Sequence, residues 1–137
     1  MPELQVSPHR NLVTPVGRQQ IETNVERLQA ELSDARASED RSSIARIQRD
    51  LRYWTERLRT AEVVTAATAG TVRFGSTVTL AKADGSRVEY QIVGEDEADP
   101  ARGRISYVAP IAKLLIGAGE GDAVVLPDGE ATVSRLR

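Results

Sequence analysis

Two adjacent carboxylates, Glu39 and Asp40, stand in the polar run Ala37-Ser38-Glu39-Asp40-Arg41 and are the first residues here whose type invites chemistry. Carboxylate oxygens are the ligands a hard ion such as Mg2+ takes, and the ion keeps several waters when only one or two of them bind it. Such a pair can hold a metal and orient a water for phosphodiester hydrolysis. A plainer use is structural: Ser38 or Asp40 caps a following helix, and both acids favour its positive N-terminal end. The second acidic cluster, Glu95-Asp96-Glu97-Ala98-Asp99, lacks the alternating ligand spacing and the glycine of a calcium loop and reads as a solvated loop. His9 is the single histidine and there is no cysteine, so neither a zinc site nor a catalytic dyad is expected, and no metal in the free protein. Nothing resembles a nucleophile elbow, a P-loop or a dinucleotide fingerprint, so no residue is expected to be catalytic by itself.

The elements that must present Glu39 and Asp40 are helices. From Ile21 the apolar residues fall at Ile21, Val25, Leu28, Leu32 and Ala35; a second series runs Ile44, Ile47, Leu51, Trp54, Leu58 and Ala61. Alternating steps of three and four make each a heptad seam. The two series mirror one another about a point between Glu39 and Asp40. Folding there places Ala35 opposite Ile44, Leu32 opposite Ile47, Leu28 opposite Leu51, Val25 opposite Trp54 and Ile21 opposite Leu58. The pattern predicts an antiparallel coiled-coil hairpin over 14–63, with Thr14-Pro15 as N-cap and first helical residue. Arms of roughly 22 residues project about 33 Å at helical rise. Charged outer faces argue against burial on a second surface, and seams this short make a weak zipper between chains, so a monomer is expected.

Composition narrows the partners. The chain has 137 residues, 28% of them charged and only 4% aromatic, so its core must be built from aliphatic side chains. Net charge is −2; residues 1–62 carry ten basic and ten acidic side chains, and the remainder eight and ten. Neither half offers a phosphate-neutralising surface, which favours a protein partner over free nucleic acid. No run approaches a membrane span and the N-terminus lacks the features of a secretory signal, so a cytoplasmic protein without membrane contact is expected.

Residues 1–13 read as a flexible tail and 64–75, small and weakly patterned, as a linker. Over 76–137 the runs are short and β-like. Thr77–Leu80 and Val88–Val93 flank the turn Ala83-Asp84-Gly85-Ser86; Arg104–Val108 is a further strand; Ala123–Leu126 and Ala131–Leu136 flank Pro127-Asp128-Gly129. Pro110–Gly117 reads as a short helix, with proline in its first turn and glycine at its end. The fold class is therefore α+β: a helical hairpin, then an antiparallel sheet against one short helix.

The second half resembles the C-terminal domain of the bacterial Gre transcript-cleavage factors. Carrying the resemblance, in order, are Gly75-Ser76-Thr77-Val78, Ile92-Val93-Gly94, Glu97-Ala98-Asp99, Ile105-Ser106, Pro110-Ile111-Ala112, Leu114-Leu115-Ile116-Gly117 and Gly121-Asp122-Ala123-Val124. A coiled-coil hairpin directly upstream is that family's own architecture. The resemblance implies an FKBP-like fold for this half and a regulator that inserts its hairpin into the secondary channel of RNA polymerase. It implies docking on the channel rim through Val108, Ala109 and Pro110, and contact with nucleic acid only through the polymerase. Such a factor has no cofactor of its own beyond a Mg2+ shared with the polymerase active site, and it modulates elongation by stimulating RNA cleavage or by occupying the channel. Two departures stand out: the family's usual serine is Ala109, and the hairpin is shorter by roughly ten or more residues per arm, about 15 Å of reach. Cleavage-competent members space their tip acids Asp-x-x-Glu, whereas Glu39 and Asp40 are adjacent. The alternative is a non-catalytic protein-binding module like the short-hairpin relatives described as nucleoside diphosphate kinase regulators. Phe74, Tyr90 and Tyr107 are too few to line a prolyl isomerase pocket.

Overall fold

A computed structural model describes residues 3–65 and 70–137. The chain forms two compact units, one of Met1–Asn11 and Pro15–Glu62, the other of Leu12–Thr14 and Val63–Arg137.

The first unit is the expected hairpin. Helix α1 spans Pro15–Ala37 and α2 spans Arg41–Thr60. Proline opens α1 at the position where its missing N–H costs nothing. The α1 seam is buried at Ile21, Val25, Leu28, Leu32 and Ala35. From α2, Ile47 is buried, and Ile44, Leu51 and Trp54 pack against the cluster of Leu28, Leu32, Ala35 and Ile47. Each buried leucine or isoleucine contributes roughly 1.5–3 kcal/mol by leaving water. Leu58 and Ala61, the last two seam residues, are half-buried, and Tyr53 meets Trp54 edge to face at 5.1 Å between ring centres.

The reading of 1–13 as a free tail needs correction. In the first unit Glu3 bonds Arg52 at 2.6 Å, and Arg10 bonds Glu62 at 2.8 Å. Asn11 is buried there beside α2. In the second unit, Leu12–Val13 form a short strand, β1, with Val13 and Thr14 buried. Leu12 is apolar and Asn11 can satisfy its own amide, so this stretch gains more from packing than from solvent. Glu62–Val63 form a second short strand, β2, and Val64 N–H donates to Val13 O at 2.9 Å.

The second unit is a five-stranded sheet in the order β5-β4-β3-β7-β6: β3 Thr77–Lys82, β4 Arg87–Val93, β5 Arg104–Ser106, β6 Ala123–Leu126 and β7 Gly129–Leu136. Helix α3, Pro110–Leu115, lies between β5 and β6 in the chain. The sheet is mixed rather than antiparallel throughout, because β4 and β5 run parallel, pairing Ile92 with Ile105. Two 3-10 turns, Glu95–Glu97 and Pro100–Arg102, reverse the chain twice between them, which turns a would-be hairpin into a crossover. One bulge interrupts the β3–β7 register after Thr79, where Ser134 is the extra residue. Strand alternation puts Val78, Leu80, Ile92, Ile105, Val124, Leu126, Ala131 and Val133 inward, with Ala112 and Leu115 of α3 against them. Val72 and Phe74 belong to this core, and Val64 packs on it, so the linker is shorter than 64–75. The alternation in Thr71-Val72-Arg73-Phe74 is the signal for it. Residues 66–69 of that stretch lie outside the described residues.

Candidate functional site

The hairpin turns through Ser38, Glu39 and Asp40, between the end of α1 and the start of α2. Glu39 takes the left-handed conformation, φ 55°, which closes the tight reversal. Asp40 N–H donates to Ala35 O at 3.0 Å, the backbone closure of that turn. The Asp40 side chain then caps α2. Its Oδ1 accepts from Ser43 N–H at 3.2 Å and its Oδ2 from the Ser43 hydroxyl at 2.7 Å. These bonds stabilise the carboxylate form and hold its pKa below the ordinary aspartate value. Both acids are exposed, but they differ in kind: both Asp40 oxygens are engaged by Ser43, whereas the Glu39 carboxylate is the one presented outward. At the tip, then, one carboxylate is tied into the cap of α2 and the other, Glu39, is exposed without a bond to Ser43. Beside it an open groove of about 410 Å3 carries mixed charge from Arg27, Asp34 and Arg46.

The second candidate surface is the turn from β5 into α3. Ala109 N–H donates to Ser106 O at 3.0 Å and Val108 N–H to Ser106 Oγ at 3.3 Å, so Ser106 shapes the turn. Val108 and Ala109 are half-buried and Pro110 is exposed. Ala109 occupies the N-cap position of α3 and makes no side-chain cap. Leu114, one turn beyond Pro110, is 48% exposed, and Ile116 is 43% exposed. Leu114, at i+4, shares the side of α3 that carries Pro110, and Ile116 stands exposed just past the helix end.

Two polar constructions were not visible from the sequence. Glu97, read as part of a solvated loop, is buried in the second unit: it accepts from Thr14 N–H at 3.0 Å, from the Thr14 hydroxyl, and from Gly94 N–H at 3.1 Å. Arg104 Nη2 lies 3.4 Å from its Oε1. The Thr14 hydroxyl is thus a donor to Glu97 within this unit. Gly94 is required there, since a Cβ would stand 2.2 Å from Leu12 O. In the first unit Arg57 is 1% exposed, donating to Asn11 Oδ1 at 2.8 Å, while Asn11 Nδ2 returns a bond to Arg57 O at 2.7 Å. The charge sits in the last turn of α2, where the helix dipole favours a cation.

Residues 67–134 match the family model described as transcription elongation factor GreA/GreB, C-terminal. The transcription elongation factor GreA of Pseudomonas putida is 49% identical over 73 residues, which are 53% of this chain and 46% of that protein. GreB of Neisseria meningitidis is 42% identical over 95 residues, 66% of this chain and 58% of that protein. GreA of Vibrio parahaemolyticus is 42% identical over 98 residues, 70% of this chain and 62% of that protein. The matches thus span about half to three-fifths of these curated relatives. No helix among the described residues is long and apolar enough to cross a membrane.

Proposed function

We propose that this chain, which belongs to the Gre family of transcription elongation factors, binds RNA polymerase and regulates elongation by placing its helical hairpin in the secondary channel. The observation that carries the mode of action is the tip. Asp40 is consumed as the cap of α2, and Glu39 alone is presented, so the hairpin acts by occupying the channel rather than by supplying a metal-binding pair. Length supports the same reading: arms of 23 and 20 residues reach about 35 and 30 Å, short of the longer hairpins the family resemblance implies. The chain then has no catalytic activity of its own and works in the cytoplasm as a monomer, touching nucleic acid only through the polymerase. Val108, Ala109 and Pro110, continued by Leu114 and Ile116, are the docking surface. It is apolar, exposed at Pro110, Leu114 and Ile116, and carried on a turn shaped by Ser106, which suits a small preformed contact.

The test uses a stalled elongation complex. Occupancy predicts that the chain slows nucleotide addition and competes with a full-length Gre factor, without shortening the RNA. In a direct binding assay Pro110→Asp weakens association by an order of magnitude or more while the β unit stays folded, because a rim contact would have to desolvate the new charge. Unchanged affinity of that variant places the docking surface elsewhere.

A further inference from the structure

Strand β6 ends the sheet on one side, and its ladder with β7 tells which of its backbone groups are spent. Val133 N–H donates to Asp122 O at 2.9 Å, so these two residues form a hydrogen-bonded pair. Antiparallel pairs alternate between bonded and unbonded. Val124 with Ala131 and Leu126 with Gly129 are therefore bonded, whereas Ala123 with Thr132 and Val125 with Glu130 are not. The N–H and C=O groups of Ala123 and Val125 thus point away from β7, and among the described residues nothing bonds to them. The opposite edge is covered. On β5, Arg104 N–H donates to Asp99 O at 3.1 Å and Arg104 O accepts from Asp99 N–H at 2.7 Å. Across Ala123–Leu126, β6 carries no charge, proline or bulge, devices that guard an exposed edge. Val125, in the middle of it, is 72% exposed.

We infer that β6 receives an extended segment of a partner protein as a sixth strand, basic on its outer face and apolar between. Two donors and two acceptors, repeating every second residue at about 6.8 Å, are a demand that an extended backbone meets. Side chains set the partner's chemistry. Paired residues share a face, so the partner residue bonded to Val125 lies beside Val125 and, one strand further in, Glu130. Glu130 is exposed and makes no hydrogen bond or ion pair among the described residues. A lysine or arginine at that place lays its stem over Val125 and its charge toward the free carboxylate. The next partner residue falls on the other face, beside the buried Val124, and is apolar. A second copy of this chain fits less well. Pairing Ala123 of one copy with Val125 of the other satisfies the same four groups but brings Glu120 of each toward Asp128 of the other.

The experiment is an NMR titration of the full chain with a blocked peptide, Thr-Lys-Val-Lys-Thr. Beside it run the same peptide N-methylated at both lysines and the acidic peptide Thr-Glu-Val-Glu-Thr. The first peptide is expected to shift the amides of Ala123 and Val125 and to slow their exchange with solvent. N-methylation removes the two donors that face β6 and should weaken binding about tenfold. The acidic peptide should bind less tightly than the basic one, and Glu130→Gln should weaken the basic one about two- to threefold. Val125→Pro deletes an N–H that the β6–β7 ladder does not use, which an edge strand tolerates, and should abolish binding with the amides of Ala131 and Val133 in place. If that variant unfolds, the peptide comparison on the unaltered chain decides by itself. Absence of shifts at Ala123 and Val125, equal binding of the methylated peptide, or preference for the acidic one overturns the proposal. A dimer that forms through these amides as concentration rises overturns it in favour of a second copy.

Discussion

Thr14 and Glu97 are 83 residues apart in sequence and meet twice, through the backbone N–H and the hydroxyl of the threonine, on a carboxylate that is almost wholly buried. Gly94 N–H and Arg104 complete its company. One acid thereby ties β1, the first 3-10 turn and β5 into the same unit. Removing it strands two N–H donors and a guanidinium at once. Glu97→Ala should therefore destabilise the β unit by about 3–5 kcal/mol, the cost of breaking a buried pair by deleting one partner. Thr14→Val keeps the backbone bond and loses only the hydroxyl, so about 1 kcal/mol is expected. Urea denaturation followed by a β-unit probe such as Tyr90 or Tyr107 reads both; a Glu97→Ala loss no larger than that of Thr14→Val contradicts the network.

The N-cap of α3 supports a prediction of opposite sign. Ala109 has extended backbone, φ −66° and ψ 147°, as an N-cap should, but no side-chain oxygen to accept from the first turn. Ala109→Ser restores the residue that the Gre resemblance leads one to expect and should stabilise the β unit by about 0.5–1 kcal/mol. In a domain of this size that raises Tm by a few degrees. No change, measured by calorimetry, means that the first turn of α3 is satisfied by solvent.

Much of the hairpin was legible because its signal is local and periodic. The mirrored seams locate the reversal at Glu39-Asp40, and the same side chains line the observed core. The parallel β4–β5 pair was not legible, since Arg104-Ile105-Ser106 reads the same in either direction, and the 3-10 turns that set it leave little pattern. The fates of Glu97, Asn11 and Arg57 escaped for a related reason. Each is polar, and what buries it is a partner between 46 and 83 positions away, invisible to any windowed pattern. At the tip, sequence allowed Asp40 as a cap of the second helix, and the Ser43 bonds are that cap.

Leu28→Asp tests whether the hairpin is a unit in its own right. Leu28 is 2% exposed and shares its seam with Ile47, Leu51 and Trp54 in a core only two helices thick. An unpaired charge there should cost several kcal/mol and melt the helices. Helical ellipticity should fall by more than half while the amide spectrum of the β unit persists. Parallel loss of both signals is the outcome that refutes two modules.

Acidification tests the Asp40 cap. Because Ser43 holds the folded-state pKa below the ordinary value of about 3.9, the cap's contribution is complete above that value and is lost as pH falls through the lower folded one. Amide exchange at Ser42 and Ser43 should accelerate over that window in the wild type. Asp40→Asn, which retains an acceptor without the titration, should show no such step. A step of equal size in both proteins assigns the transition to another group.

Under the proposed function, the tip variants decide between channel occupancy and stimulated cleavage. Occupancy makes Glu39 and Asp40 dispensable for chemistry: Asp40→Ala loosens the first turn of α2, and Glu39→Ala alters one exposed charge. Both should leave inhibition of nucleotide addition within about threefold of wild type, and none of the three proteins should shorten the RNA in a backtracked complex. Cleavage requires a carboxylate placed closely, since an error of about 1 Å can cost roughly a hundredfold in rate. Here one acid is bound to Ser43, and the shortfall that the Gre resemblance implies, roughly ten residues per arm, is about 15 Å at helical rise. Robust cleavage by the wild type, abolished in Asp40→Ala with binding intact, is the result that defeats occupancy. It would mean that the Ser43 cap opens inside the channel and that the chain docks deeper than its arms alone allow.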